Sequence, residues 1–474
     1  MMTERKPSSQ HWVCVYAGGD VVTMGCISIS GFVSALIKHE LIGEFDLLIN
    51  PVVYLINIVR AKSIMHNPSN TQSCKPLDTS IADSTSTDNK MKLTRLFNNF
   101  FDSEKAGGLI LVFVTVISLV LANSAWQADY INFWHFELGE HSLVHWINDG
   151  LMTIFFLLIG LELEREIYHG ELSDIKNASL PIFGAIGGML VPAGLFLLLN
   201  FETDTQAGAG IPMATDIAFA IGILSLLGNR VPTSLKIFLT ALAVMDDLGA
   251  IIVIAIFYTA SIAYVNLFIA LGIFGVLLIL NRLKVHNLIP YLIGGVAMWY
   301  FMLHSGVHAT ITGVLLAFAI PFGNGGEKSP SYILQHILHK PVAFFILPLF
   351  AVANTCIAVG DSWQSLGQTN SLGIIAGLVI GKPLGIWLFS FIGVGLRLCV
   401  LPTDLKWKNI IGAGFLGGIG FTMSIFITLL AFDNADIVNN SKIAIIIASL
   451  LAGTIGFIFL KLTLKTRVEN DETT

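Results

Sequence analysis

The stretch "ALAVMDDLGAIIVIAIFY" (residues 241–258) places two adjacent acids, Asp246 and Asp247, in a segment that is otherwise almost wholly apolar. A charged side chain at the centre of a bilayer costs at least ~2.5–3.5 kcal/mol on insertion scales. A chain that keeps two such residues side by side needs them for something other than stability. The pair therefore marks the first place to look for function.

The composition around this stretch indicates that lipid is the solvent. Hydrophobic residues make up 54% of the 474 residues and charged residues only 12%, whereas soluble domains carry about 25% charged residues. The mean hydropathy is +0.76. The apolar runs are unbroken and about twice as long as the ~10-residue alternating segments of a β-barrel. We therefore predict an all-α polytopic membrane protein.

Apolar segments recur after residue 105, and they predict twelve transmembrane helices. Their approximate bounds are 106–123, 147–164, 180–199, 211–228, 235–257, 265–281, 288–302, 307–321, 342–360, 372–394, 408–430 and 442–462. Every second connecting loop carries Lys or Arg, and the alternate loops carry none. Because basic loops stay in the cytoplasm, this alternation places both termini there.

The ends of the chain differ from its middle. Residues 75–90 are rich in Ser, Thr and Asp without an apolar period, a composition typical of disorder. We predict that residues 1–90 are an N-terminal extension, mostly disordered or a misplaced start, and are dispensable. Residues 91–467 would form the twelve-helix domain, and residues 468–474 a C-terminal tail.

Two predicted spans carry helix-breaking residues at membrane depth. The fourth reads "AGAGIPMATDIAFAIG" (207–222) and the eleventh "IIGAGFLGGIGFTMSIFITLL" (410–430). Interrupted helices at corresponding places of two halves indicate a transporter site in an inverted-topology repeat. The fourth span lies in the middle of spans three to five, and the eleventh in the middle of spans ten to twelve. We predict two broken helices that cross each other.

Broken helices leave half-helix ends inside the membrane, positive at N-termini and negative at C-termini. Asp216, preceded by Thr215, suits the positive ends, and Lys382 in the tenth span suits the negative ones. This leaves Asp246 and Asp247 for a substrate. Carboxylate oxygens suit small hard cations such as Na+ and Li+, and burial with mutual repulsion favours protonation. The same oxygens would then hold either protons or a metal ion, and this competition is the minimal machinery of an antiporter.

Three more acids lie at the ends of the second span. Asp149 is at its start, where the helix dipole favours an acid, and Glu162 and Glu166 are at its cytoplasmic end. Each also has an ordinary explanation as a charge at a helix end that reaches water. Glu162 and Glu166 are four residues apart and share a helix face, so their repulsion when ionised provides a means of sensing pH.

Several long motifs in order resemble the NhaA family of Na+/H+ antiporters of bacterial inner membranes. The motifs are "WINDGLMTIFFLLIGLELERE", "ATDIAFAIGILSLLGNRVP", "LKIFLTALAVMDDLGAIIVIA", "HSGVHATITGV", "ILPLFAVAN", "GKPLG" and "GIGFTMSIFI". The resemblance extends from Met91 to about Lys465. It implies twelve transmembrane helices with an inverted repeat and two broken, crossing helices.

The resemblance also implies roles for individual residues. Asp246 and Asp247 correspond to the family's ion-binding pair, which implies that they ligate Na+. The other roles are assigned to residues that match the family's motifs. The broken-helix and compensating residues are Thr215, Asp216 and Lys382, and the pH-sensing or gating residues are Asp149, Glu162, Glu166, His308 and His336. Glu164, Gln335 and His304 depart from the usual pattern, which affects the expected pH profile rather than the activity.

The leading interpretation is electrogenic, pH-regulated exchange of cytoplasmic Na+ or Li+ for external H+. The alternative within transport is Na+-coupled symport of an organic anion, because broken helices also hold substrate carboxylates. An intramembrane aspartyl protease would need a GxGD motif, which the sequence lacks. No zinc, nucleotide or haem motif is present, so neither a cofactor nor a nucleic-acid partner is expected. A homodimer is one option that the sequence leaves open.

Overall fold

A computed structural model describes residues 104–139, 141–170, 175–259, 262–358 and 365–464 of the chain. All of them belong to one compact unit, Thr85–Thr474. The predictions for residues 1–90 and for the tail 468–474 lie outside the described residues.

The described chain is almost entirely helical. Its helices are α1 (Glu104–Ala122), α2 (Gln127–Trp134), α3 (Leu143–His169), α4 (Ile175–Asn200), a 3-10 helix (Gln206–Met213), α5 (Ile217–Ser225), α6 (Thr233–Phe257), α7 (Tyr264–Arg282), α8 (Leu288–Leu303), α9 (Ile311–Ala319), α10 (Pro330–Asn354), α11 (Thr369–Gly395), α12 (Trp407–Gly417), α13 (Phe421–Ala431) and α14 (Ala435–Thr463). The prediction of a helical membrane protein is confirmed.

Eight helices of the described chain are long and apolar enough to cross a membrane, or up to ten if each of two bent pairs is one span. The bent pairs are α1 with α2, at 120°, and α12 with α13, at 50°. Each of the twelve predicted segments contains at least part of one helix. However, α8 has 16 residues and α9 only nine, which is short for a hydrocarbon core of about 30 Å.

Two local features differ from the predicted all-helical segments. Between α2 and α3 a short antiparallel strand pair, β1 (Glu137–Leu138) and β2 (His141–Ser142), lies in the predicted loop between the first and second spans. The predicted ninth segment starts at residue 342, but the helix begins at Pro330. Ser329 caps it by accepting a hydrogen bond from the Tyr332 N–H, and such a cap allows a polar turn to extend an apolar helix.

Apolar side chains cover the outside of the helices as well as the core. Val265 and Phe268 of α7 are 73% and 68% exposed. Exposed apolar surface on this scale indicates contact with lipid. The interior contains buried clusters, and one of them includes Leu242, Ile386 and Leu416 from α6, α11 and α12. Leu242 and Ile386 lie one helical turn from Asp246 and from Lys382.

Small residues permit the closest helix crossing that bears on the site. Where α4 crosses α11, Gly187 faces Gly385, and a Cβ on either residue would collide with the backbone oxygen of the other. Glycine at such a contact lets two backbones approach closely. The crossing fixes α11 just beyond Lys382.

Gly187→Ala should therefore destabilise the protein, by about 1–3 kcal/mol as expected for an overpacked contact. Gly194→Ala on the same helix is the matched control, because nothing lies within 4 Å of a Cβ at Gly194. Thermal unfolding in detergent measures both variants. Equal melting temperatures for the two would show that this crossing is not tight.

Candidate functional site

A buried ion pair joins α6 to α11. Lys382 Nζ lies 2.8 Å from Asp246 Oδ2, and both side chains are fully buried. Lys382 also donates a hydrogen bond to the backbone carbonyl of Met213, the last residue of the 3-10 helix. One ammonium group therefore contacts both an acid and the negative end of an interrupted helix.

The backbone before Lys382 has an unusual form. A π-helical turn, Gly377–Gly381, precedes it within α11, and such turns occur frequently at functional sites. A Cβ at Gly377 would collide with Pro212, and one at Gly381 with Pro192. The two glycines thus allow α11 to approach the broken helix and α4.

Both predicted helix breaks are present, and they meet. The chain is non-helical at 214–216, between the 3-10 helix and α5, and at 418–420, between α12 and α13. The backbone N–H of Asp216 donates to the Ile419 carbonyl at 2.6 Å. Ser424 Oγ donates to the Ile211 carbonyl at 2.7 Å. The two interrupted segments are thus hydrogen-bonded to each other at and beside their breaks.

Asp216 lies at the N-terminal ends of two helices. Its Oδ1 accepts from Phe219 N at 3.2 Å in the first turn of α5. Its Oδ2 accepts from Thr422 N at 3.1 Å and from Thr422 Oγ1 at 2.5 Å in the first turn of α13. A carboxylate at a helix N-terminus is favourable because of the helix dipole, and here one carboxylate serves two helices.

The Thr215 hydroxyl lies between two acceptors. Its Oγ1 is 2.6 Å from Asp246 Oδ2 and 2.8 Å from the Gly417 carbonyl, at the end of α12. A hydroxyl carries one hydrogen, so Thr215 donates to one of the two oxygens at a time. The protonation of Asp246 decides which, because a protonated carboxyl can itself donate to Thr215.

Asp246 and Asp247 each have an oxygen without a hydrogen-bond partner among the described residues. These atoms are Asp246 Oδ1 and Asp247 Oδ1, and both are buried. An unpaired buried polar atom is costly and is informative where it occurs. Asp247 lies in the field of three other acids, Asp246, Asp216 and Glu162, which Lys382 opposes.

The arrangement can therefore accept a small positive species. Two carboxylate oxygens on adjacent residues are free in a buried setting, and a proton or an alkali cation would satisfy them. Among the described residues, no group of three or more His, Cys, Asp or Glu side chains is placed to hold a metal ion.

Glu162 and Glu166 lie at one end of α3, near the start of α10. Glu162 Oε1 lies 3.7 Å from His339 Nδ1. His336 stacks on Tyr332 with ring centroids 6.3 Å apart, and the Arg165 guanidinium lies over the same Tyr332 ring at 5.1 Å. This end of the molecule therefore groups acids and histidines on two packed helices.

A cavity of about 210 Å3 opens beside Glu166, between α3, α5 and α6. Its polar lining consists of Glu166, Ser225, Lys236 and Thr240. Thr240 is seven residues before Asp247, and residues at that spacing share a helix face. The cavity and Asp247 thus lie along the same side of α6, about 10 Å apart at 1.5 Å per residue.

Asp149 and His308 lie at the opposite end of α3. Asp149 belongs to a π-helical turn, Trp146–Leu151, and its Oδ2 is 3.1 Å from His145 Nε2. His308 Nε2 is 2.7 Å from the carbonyl oxygen of Tyr258, which follows α6 directly. Neither Asp149 nor His308 lies beside the aspartate pair.

Sequence reasoning missed three contributors. Thr422 holds Asp216, and the only signal for it was its place just after the glycines of "GGIGFT". Tyr258 links the end of α6 to the 3-10 helix by donating to the Ala207 carbonyl at 2.6 Å. Glu164, named above only as a departure from the family's pattern, is 5% exposed with Oε2 unpartnered among the described residues, and its position near the end of α3 gave no sign of this burial.

Comparison with known proteins finds one family. Residues 98–460 match the profile of the family described as Na+/H+ antiporter 1. The chain is 72% identical over 377 residues to "Na(+)/H(+) antiporter NhaA 1" of Flavobacterium johnsoniae, covering 79% of this chain and 99% of the relative. It is 70% identical over 382 residues to an antiporter NhaA of Flavobacterium psychrophilum, with 80% and 100% covered. A third relative, an antiporter NhaA of Cytophaga hutchinsonii, is 61% identical over 384 residues, with 81% and 99% covered.

Lys382→Ala should lower the melting temperature, because removing one partner of a buried ion pair typically costs ~3–5 kcal/mol. The double variant Lys382→Ala with Asp246→Asn should recover much of that loss, since it leaves no uncompensated charge. Lys461→Ala, at the exposed end of α14, is the control and should resemble the parent. A double variant as unstable as the single one would contradict this account of the pair.

Proposed function

The chain belongs to the Na+/H+ antiporter 1 family, and we propose that it exports Na+ in exchange for external H+ across the bacterial inner membrane, through Asp246 and Asp247. The observation that carries the proposal is the buried aspartate pair with two unpartnered oxygens, beside the crossing of two interrupted helices. The relatives are named as Na+/H+ antiporters, which supports the same reaction for this chain.

The mechanism follows from competition at the same oxygens. Asp247 binds a proton or the cation, since either can satisfy its free Oδ1 and relieve the repulsion from the surrounding acids. Na+ entering the pair displaces the proton of Asp247. Electrogenic exchange needs a second proton for each Na+, because one proton for one Na+ moves no net charge, and we propose Asp246, in its ion pair with Lys382, as the acid that shares proton carriage.

Thr215 links this chemistry to the helix breaks. With Asp246 ionised, Thr215 donates to its Oδ2, and the Gly417 carbonyl loses this hydrogen bond. With Asp246 protonated, Thr215 is free to donate to Gly417 at the end of α12. The protonation state of the pair thereby changes the contacts of both interrupted segments, which is a route from ion binding to a change of access.

We also propose the finer topology. Twelve spans with both termini in the cytoplasm agree with the alternation of basic loops, if α8 and α9 each cross as short or tilted helices. The two helix breaks lie in the middle span of spans three to five and of spans ten to twelve, and these corresponding positions support an inverted repeat. Li+ is proposed as a second substrate because it is another small hard cation. A homodimer remains a prediction.

Symport of an organic anion is not supported. The relatives named above are antiporters by name. Lys382, the cation beside the aspartate pair, already contacts Asp246 and the Met213 carbonyl, so it offers no free charge to an anionic substrate. The cavity of about 210 Å3 beside Glu166 suits the access of a small ion.

We propose that pH regulates access at the cytoplasmic end, through Glu162 and Glu166. Glu166 lines the cavity that lies on the Asp247 side of α6, and Glu162 faces His339. Ionisation of both acids, four residues apart, adds repulsion on one helix face. His336 is proposed as a further group at this end, and His308 and Asp149 are proposed as further groups in the pH response at the opposite end of α3. A switch that needs both acids ionised would keep the exchanger inactive when the cytoplasm is acidic, so that it does not import further protons.

Asp247→Asn should abolish Na+-dependent proton movement, because an amide neither exchanges a proton near neutral pH nor binds a cation as strongly. The measurement is the fluorescence change of a ΔpH probe in everted vesicles on addition of Na+, Li+ and K+. Asp436→Asn, an exposed acid in the first turn of α14, should exchange like the parent. Normal exchange by the Asp247 variant would rule out the assignment.

Replacing both Glu162 and Glu166 with Gln should shift the pH at which exchange switches on, since the repelling charges are removed. Exchange rates measured from about pH 6 to 9, a range that overlaps the one in which histidine changes its charge, provide the profile. Gln at Glu202, an exposed acid after α4, is the control. Superimposable profiles for parent and double variant would exclude this pair as the sensor.

A further inference from the structure

A line of ionisable side chains lies at the end of α3 that is opposite to Glu162 and Glu166. His141, His145 and Asp149 recur every fourth residue in "HSLVHWIND". The rings of His141 and His145 stack with centroids 4.2 Å apart and planes inclined by 29°. His145 Nε2 lies 3.1 Å from Asp149 Oδ2. The three groups form a continuous row from strand β2 into the π-helical turn.

Side-chain exposure decreases from His145 to Asp149. The His145 side chain is 39% exposed, and the Asp149 side chain is 19% exposed. His145 Nε2 itself is buried, and its close approach to Asp149 does not have the geometry of a hydrogen bond. A neutral imidazole accepts a proton on one nitrogen and releases one from the other. Since Nε2 is already 3.1 Å from Asp149 Oδ2, a small rotation of the ring would let His145 pass a proton from its exposed edge to the carboxylate.

The inner end of the row approaches the helix of the aspartate pair. His308 and both histidines of the row act electrostatically on Asp149. His308 in turn contacts the Tyr258 carbonyl at 2.7 Å, at the end of α6. Asp247 lies eleven residues earlier on that helix, about 16 Å away along the axis.

The surroundings add few other charges. The part of α10 that packs against the π-helical turn, Leu347–Asn354, has no ionisable residue in its sequence. It contributes Asn354, whose Nδ2 donates to Asn148 Oδ1 at 2.7 Å. The strand pair, attached by Trp146 Nε1 donating to the Leu138 carbonyl at 3.0 Å, carries Glu137 and His141. His308 faces Asp149 from the loop before α9.

We propose that His141, His145 and Asp149 form a proton-collecting site on the external face, which supplies protons to the exchange reaction. The inference rests on the proposed function, which needs protons from outside when they are scarce. Histidine is the side chain whose charge changes between pH 5 and 8. A proton is favoured over a transition metal because no group of three or more metal-ligating side chains is placed to hold one in the described chain.

The test uses the full chain in everted vesicles, whose lumen contacts the external face and is loaded at defined pH. His141→Gln with His145→Gln should raise the luminal proton concentration needed for half-maximal exchange by about tenfold or more, since a positioned proton-transfer group typically contributes ~10²–10⁴-fold. The rate at saturating luminal protons and the KM for Na+ should not change. His135→Gln, an exposed ring that contacts the Ile131 carbonyl, is the matched control and should leave the profile unchanged.

Chemical rescue separates proton collection from a structural role. Imidazole loaded in the lumen should restore exchange by His145→Ala at alkaline luminal pH. A double-Gln variant with the parent's pH profile would overturn the proposal, and so would an equal loss at every pH without rescue. Failure of the parent itself to exchange Na+ for H+ would instead refute the proposed function.

Discussion

Asp216 joins the N-terminal ends of α5 and α13 inside the membrane, and the rest of the site depends on that junction. Interrupted helices expose backbone groups where no water can reach them, so protein atoms must satisfy those groups. One carboxylate accepts from Phe219, from the Thr422 backbone and from the Thr422 hydroxyl. Without it, two positive helix ends would face each other uncompensated.

In the proposed mechanism, the junction also determines which acid is left for transport. Asp216 is occupied by helix ends, and Oδ2 of Asp246 is occupied by Lys382 and Thr215. Lys382 is fixed in turn by the Met213 carbonyl. Asp247 therefore has the greatest freedom to change its ligand, although it is adjacent in sequence to Asp246. The same fold gives two neighbouring carboxylates different electrostatic surroundings.

Much of this could be predicted from the sequence, because a membrane makes buried charges and helix breakers conspicuous. Asp216, Asp246, Asp247 and Lys382 stand out against apolar neighbours, and the glycines of "GAGFLGGIG" indicate a break. The parts that could not be predicted depend on three-dimensional approach. Thr422 is one of many threonines until Asp216 is placed beside it.

Glu164 is a residue whose surroundings the sequence did not indicate. Its place at a helix end predicts a solvated charge, whereas packing against neighbouring elements buries it. Helix periodicity alone could not reveal this, since the burial depends on which elements cover that face. The same holds for the strand pair after α2, which is too short to have a sequence pattern.

The π-helical turn before Lys382 affects the width of α11 rather than its direction. Such a turn contains one residue more than the regular helix that would connect the same two ends. Deleting one residue from Gly377–Gly381 would therefore restore regular helix and leave the two halves of α11 in their present alignment. The change would be confined to the turn itself, where Gly377 packs against Pro212 and Gly381 against Pro192. The extra residue thus widens the helix locally, so that α11 fits two prolines of its neighbours without altering its course before or after Lys382.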